Sequence, residues 1–156
     1  MDPYTARARI LATTRQRVEE RGWTFIFTPM PYDPANFGYS IGFTRTFGYP
    51  EAMVMGLSFE ATAAVLGGLA EKLVAGERPE QHAHLHVGLN LPVVLRPVRR
   101  EVSRELCVFA DEYYGRTEFS VVQAVWPDAR GRFPWEAGHV RQGSYQPLLF
   151  DVAAPN

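Results

Sequence analysis

FSVVQAVWPDARGRFPWE, residues 119–136, reads as a strand, a tight polar turn and a short return segment carrying Trp135. Phe119, Val121, Gln123 and Val125 alternate with Ser120, Val122, Ala124 and Trp126, so apolar side chains fall on both faces. A strand that is apolar on both faces is covered on both sides and belongs in the interior of a sheet. The PDARG that follows, residues 127–131, is turn chemistry. Proline fixes its own φ, aspartate bonds the local backbone, and glycine accepts a positive φ.

At 156 residues the chain fits a single domain, 1–156, with enough length for a hydrophobic core that needs no metal or disulfide. Hydrophobic residues make up 46% and charged residues 21%, an ordinary globular balance. The net charge of −1 gives no global field for nucleic acid or anionic lipid. Arginine supplies all the cationic side chains but Lys72, with a local cluster at Arg96, Arg99, Arg100 and Arg104. Cys107 is the sole cysteine, which excludes an intrachain disulfide and suits a reducing cytoplasm. No apolar run approaches the ~18 residues of a membrane span, and no signal-peptide core opens the chain.

Working outward, residues 4–21 predict a helix with Ile10, Leu11, Thr14 and Val18 on one stripe, started by Asp2-Pro3 and stopped by Gly22. WTFIFTP at 23–29 reads as a strand, 30–36 as a proline-stiffened loop, 37–44 as a second strand and 52–57 as a third. Ser58 caps a helix to about Ala75, whose Gly67-Gly68 pair signals close approach to another backbone. Residues 82–89 and 93–98 predict paired strands, and Ser103 caps a third helix over 104–114. A strand over 145–150 and a frayed tail, 151–156, complete the chain. Strands and helices do not alternate regularly, which favours α+β over a doubly wound parallel sheet. The expected architecture is an antiparallel, strongly coiled sheet, in the manner of a partly open barrel, with about three helices.

Gly22-Trp23, the block FGYSIGFTRTFGYPEAMVMGL at 37–57, VVQAVWPDARGRFPWE at 121–136 and QPLL at 146–149 resemble a bacterial family catalogued as domain of unknown function 4262. The resemblance implies one single-domain unit and carries no activity, cofactor or catalytic residue. The HAHLHV stretch at 82–87 stands outside it. The order strand, loop, glycine-bearing strand, turn and apolar strand is also similar to the opening of flavin-reductase-like split barrels. That similarity implies FMN, with Thr44-Arg45-Thr46 where such folds hold the flavin phosphate.

His82, His84 and His86 alternate, so in a strand all three share a face with neighbours roughly 6.6 Å apart. An adjacent pair could hold a divalent transition metal at bonds of about 2.0–2.1 Å, completed by His139, Asp128 or Glu136. The plainer reading is the solvated side of an edge strand. Asp128 and Glu136 bracket a loop and would serve as an acid–base pair if they converge; Asp128 equally suits its own turn. Trp126, Trp135, Tyr113 and Tyr114 would line a pocket for a planar ligand, or belong to the core.

The expected function is therefore a cytoplasmic small-molecule-binding domain, with an enzymatic role left open. Its site would lie between the strand at 37–45 and the loop at 126–139, drawing on Tyr39, Thr44, Arg45, Trp126 and Trp135. A protein-interaction or immunity-type module and a flavin oxidoreductase are the two alternatives.

Overall fold

The computed structural model describes residues 2–29, 36–140 and 146–150. Within them lie helix α1 (Pro3–Arg21), strands β1 (Thr24–Thr28) and β2 (Phe37–Ile41), helix α2 (Phe43–Phe47), strand β3 (Glu51–Met55) and helix α3 (Phe59–Val74). Strands β4 (His84–Leu85) and β5 (Val93–Pro97), helices α4 (Arg100–Leu106) and α5 (Val108–Tyr114), and strand β6 (Val121–Val125) follow. The expected loop at 30–36 falls, except for Asn36, outside the described residues, as do Ser144, Tyr145 and the tail.

The six strands form one sheet in the order β1-β2-β3-β6-β5-β4. β6 sits inside it with all five residues buried, as its two-faced apolar pattern requires. The sheet is open and mixed, because β3 and β6 run parallel at its centre while every other pairing is antiparallel. The expected strongly coiled antiparallel sheet, and the barrel with it, is corrected on this point.

Alternation along β3 and β6 builds a core on each face. Ala52, Val54, Val122 and Ala124 pack against Val65, Leu66, Leu69 and Leu73 of α3. Met53, Met55 and Val121 pack on the other side, with Val18 of α1 and with Ala110 and Tyr114 of α5. The helix signals act as expected at α1, where Asp2 accepts from Thr5 N at 3.0 Å, and at α3, where Ser58 accepts from Ala61 N at 3.1 Å. Of the glycine pair in α3, only Gly68 meets another backbone: a Cβ there would lie 3.1 Å from Gly88 N. Gly88 returns the contact at φ 65°, since its own Cβ would fall 2.3 Å from the carbonyl oxygen of Ala64.

Five helices stand where about three were expected. The second strand, expected over 37–44, stops at Ile41, and Phe43 and Thr44 instead open α2. The expected third helix is two, broken at Cys107 (φ −92°, ψ 54°). Phe109 N donates to the Tyr39 hydroxyl at 3.1 Å, which satisfies a first-turn amide of α5 without a continuous helix before it. The expected strand at 145–150 is replaced by side-chain anchoring. Gln123 donates to Pro147 O and accepts from Leu149 N, at 2.8 and 2.9 Å. Gln146 bonds both the N–H and the carbonyl of Trp126.

Candidate functional site

β3 begins with a carboxylate that is wholly buried, Glu51. The chain leaves β2 through Gly42, at φ 116°, where a Cβ would lie 2.5 Å from the Gly22 carbonyl oxygen. That bend aims the first amides of α2 at Glu51, which accepts from Gly42 N (3.3 Å), Phe43 N (3.1 Å) and Thr44 N (3.0 Å). The Ser40 hydroxyl donates to the same carboxylate at 2.7 Å while its oxygen accepts from Ala52 N at 2.9 Å. Tyr114 also donates to it, and its own oxygen accepts from Gly42 N and Arg45 N. The Glu51 carboxyl group therefore occupies the positive end of α2. Burial pushes the Glu51 carboxyl above the usual carboxylate range, against the pull of these donors, and it also pushes up the Tyr114 phenol and the Cys107 thiol.

Two surface clefts share Thr44, a residue of this cluster, as part of their walls. One, of about 510 Å³, is lined by Thr44, Tyr49, Pro50, Arg100, Ser103 and Phe119, among others. The other, of about 540 Å³, is lined by Arg15, Glu19, Thr44, Arg45, Tyr113, Tyr114 and Thr117. The Arg45 guanidinium donates to the Tyr113 hydroxyl at 2.8 Å, which fixes it at the rim.

The expected ligand set is divided between the two ends of the sheet. Thr44 and Arg45 lie at the end where Glu51 pairs with Val121, whereas Trp126 and Trp135 follow the opposite end of β6. Four residues of strand, roughly 13 Å, separate those ends. Tyr39 is buried, and its hydroxyl serves α5 rather than a cleft. The Trp126 indole donates to Met55 O at 2.7 Å and packs on the α3-side core. Trp135 stacks on Phe133 at 5.2 Å, and the Arg96 guanidinium lies 4.9 Å from both the Trp135 and Phe150 ring centres. Its faces are therefore occupied from within the chain. Trp126→Ala is expected to lower stability by about 2–3 kcal/mol through lost burial and the lost indole bond, read from the urea midpoint.

Asp128 and Glu136 act as loop ties. The Asp128 carboxylate accepts from Arg130 N, Arg132 N and Val140 N, each at 2.9 Å, and Glu136 accepts from Phe133 N at 3.2 Å. Those amides, led by Val140, hold the Asp128 carboxyl below the usual range, and His139 adds to the effect. The extended histidine face does not form, because β4 is two residues long and His82 sits at φ 70°. The His84 ring instead meets the Phe133 ring, 5.3 Å away. Among the described residues no group of three or more His, Cys, Asp or Glu side chains is placed to hold a metal ion.

Of the groups expected to hold a flavin phosphate, the Thr44 and Thr46 hydroxyls and the α2 amides are engaged within the chain, which leaves the Arg45 guanidinium. Thr44 donates to Tyr49 O and Thr46 to Gly22 O, while the α2 amides serve Glu51. Glu51 is the residue that sequence reasoning passed over, whereas Tyr113 and Tyr114, expected to line a pocket or belong to the core, do line one of the clefts. The signal for Glu51 was a single acid opening the otherwise apolar EAMVM. Tyr114 stands 63 residues away in the chain, and nothing in the sequence ties it to Glu51.

Among the described residues no helix is long and apolar enough to cross a membrane. The sequence matches the family described as a domain of unknown function, DUF4262, over residues 17–140, a span that includes Gly42, Glu51, Tyr114 and Asp128. No curated protein and no solved structure matches the chain.

Proposed function

We propose that this chain, which belongs to the DUF4262 family, binds a small molecule in the paired clefts that meet at Thr44. The observation that carries the reading is the meeting of two clefts, about 510 and 540 Å³, over a backbone pinned by a buried carboxylate. Such a floor is pre-organised, and a rigid site loses less conformational entropy on binding. Arg15 and Arg45 at one rim, beside the Tyr113 ring, favour a ligand with an anionic group and a flat apolar face.

Thermal-shift measurements with a panel of aromatic carboxylates and mononucleotides test it. A ligand at about one hundred times its Kd stabilises the fold by about 2.7 kcal/mol, a rise of roughly 5–10 °C for a chain of this size. Arg45 is exposed, so Arg45→Ala is expected to fold normally and to lose that rise. A panel that shifts nothing, or shifts both proteins equally, overturns the reading.

A catalytic reading of the same clefts is favoured by one observation. Tyr114 lines one cleft and its hydroxyl is hydrogen-bonded to Glu51, a pair through which a proton could pass between a bound molecule and the interior.

A further inference from the structure

β1 forms one margin of the sheet, and among the described residues only its inner side pairs with another strand. Its sequence, TFIFT, holds neither charge nor proline, the usual means of discouraging a further strand. A groove of about 330 Å³ runs along this margin, with β1 residues on one side and Arg9, Ile10, Thr13 and Arg17 of α1 on the other. None of the described residues lining it is acidic.

The two faces of β1 differ in chemistry. Ile26 packs in the same core as Val18 of α1, so the even positions face the helix that carries Arg9 and Arg17. Phe25 and Phe27 face the other way, toward Phe59, whose ring lies 5.6 and 5.4 Å from theirs and is 51% exposed.

We propose that this groove receives an extended peptide strand in which acidic and apolar side chains alternate. Its backbone would pair with the outward-facing N–H and C=O groups of β1. The alternation of a strand then turns one set of side chains toward Arg9 and Arg17 and the other toward Phe25, Phe27 and Phe59. A second copy of β1 answers this chemistry poorly, because TFIFT brings no carboxylate to the arginines.

The test uses the full chain and a fluorescein-labelled seven-residue peptide of alternating glutamate and valine, followed by anisotropy. Saturable binding is expected, and replacing glutamate by lysine should weaken it at least about tenfold. Methylating one alternating set of peptide amides should abolish binding, whereas methylating the other set should leave it largely intact, since a strand offers every second N–H to its neighbour. Arg9→Glu combined with Arg17→Glu, both at exposed positions, should weaken binding about tenfold with an unchanged circular dichroism spectrum. Equal affinity for the glutamate and lysine peptides, or indifference to both methylated sets, overturns the proposal. So does a dimer in sedimentation velocity that the peptide fails to dissociate, because the groove would then belong to a second copy.

Discussion

Glu51→Gln is expected to destabilise the fold by about 3–5 kcal/mol, the range for removing one partner from a buried charged network. The carboxylate is surrounded only by donors: the Ser40 and Tyr114 hydroxyls and the amides of Gly42, Phe43 and Thr44. The Ser40 and Tyr114 oxygens already accept from Ala52 N and Gly42 N, so a glutamine N–H₂ would compete with those amides for the same oxygens. Glutamine keeps the size and shape but points an amide N–H₂ into that ring, leaving buried amides without an acceptor. At roughly 2–4 °C per kcal/mol for a chain of this length, a fall in Tm of about 6–20 °C should follow. Scanning calorimetry decides the matter, and a fall of only one or two degrees would mean that Glu51 does not organise α2.

Gly42→Ala is the second large effect, at about 4 kcal/mol. A non-glycine residue at a strained positive φ costs of order 1–3 kcal/mol, and an added methyl without room costs a similar amount. Both apply, since φ is 116° and the new Cβ would lie 2.5 Å from Gly22 O and 2.8 Å from Trp23 Cα. Both obstacles are backbone atoms, which cannot swing aside as a side-chain tip would. Combined with Glu51→Gln in a double-mutant cycle, the losses should sum to well over the measured total, because each change disrupts the same α2 amides. Strict additivity would contradict the coupling.

What could be read from the sequence was whatever depends on near neighbours. Residues 121–125 announce an interior strand by pattern alone, Ser58 and Asp2 cap the helices that follow them, and Asp128 serves the turn it opens. The failures share a different cause. FTRTF, aromatic and β-branched, has the composition of a strand and becomes α2 because Gly42 bends the chain and Glu51 supplies its cap. The acidic partner lies in another strand, and the tyrosine that completes the cluster lies in α5. The histidine face failed for want of a strand long enough to display it. The expected ligand set is divided because Thr44 follows β2 and Trp126 follows β6, at opposite ends of the sheet, which no spacing in the chain reports.

The parallel pairing of β3 with β6 also governs the order in which the molecule can assemble. β1, β2 and β3 follow one another as hairpin neighbours, and β4 with β5 makes a second local unit, so each can form early from short-range encounters. Glu51 and Val121 must instead find each other across about 70 intervening positions, a closure whose entropic penalty is of order 4 kcal/mol. Tyr114 reaches Glu51 only when that closure is made, because α5 leads directly into β6. The buried charge thus stays hydrated until late, and the two halves of the sheet are committed to each other in the same step that dries it.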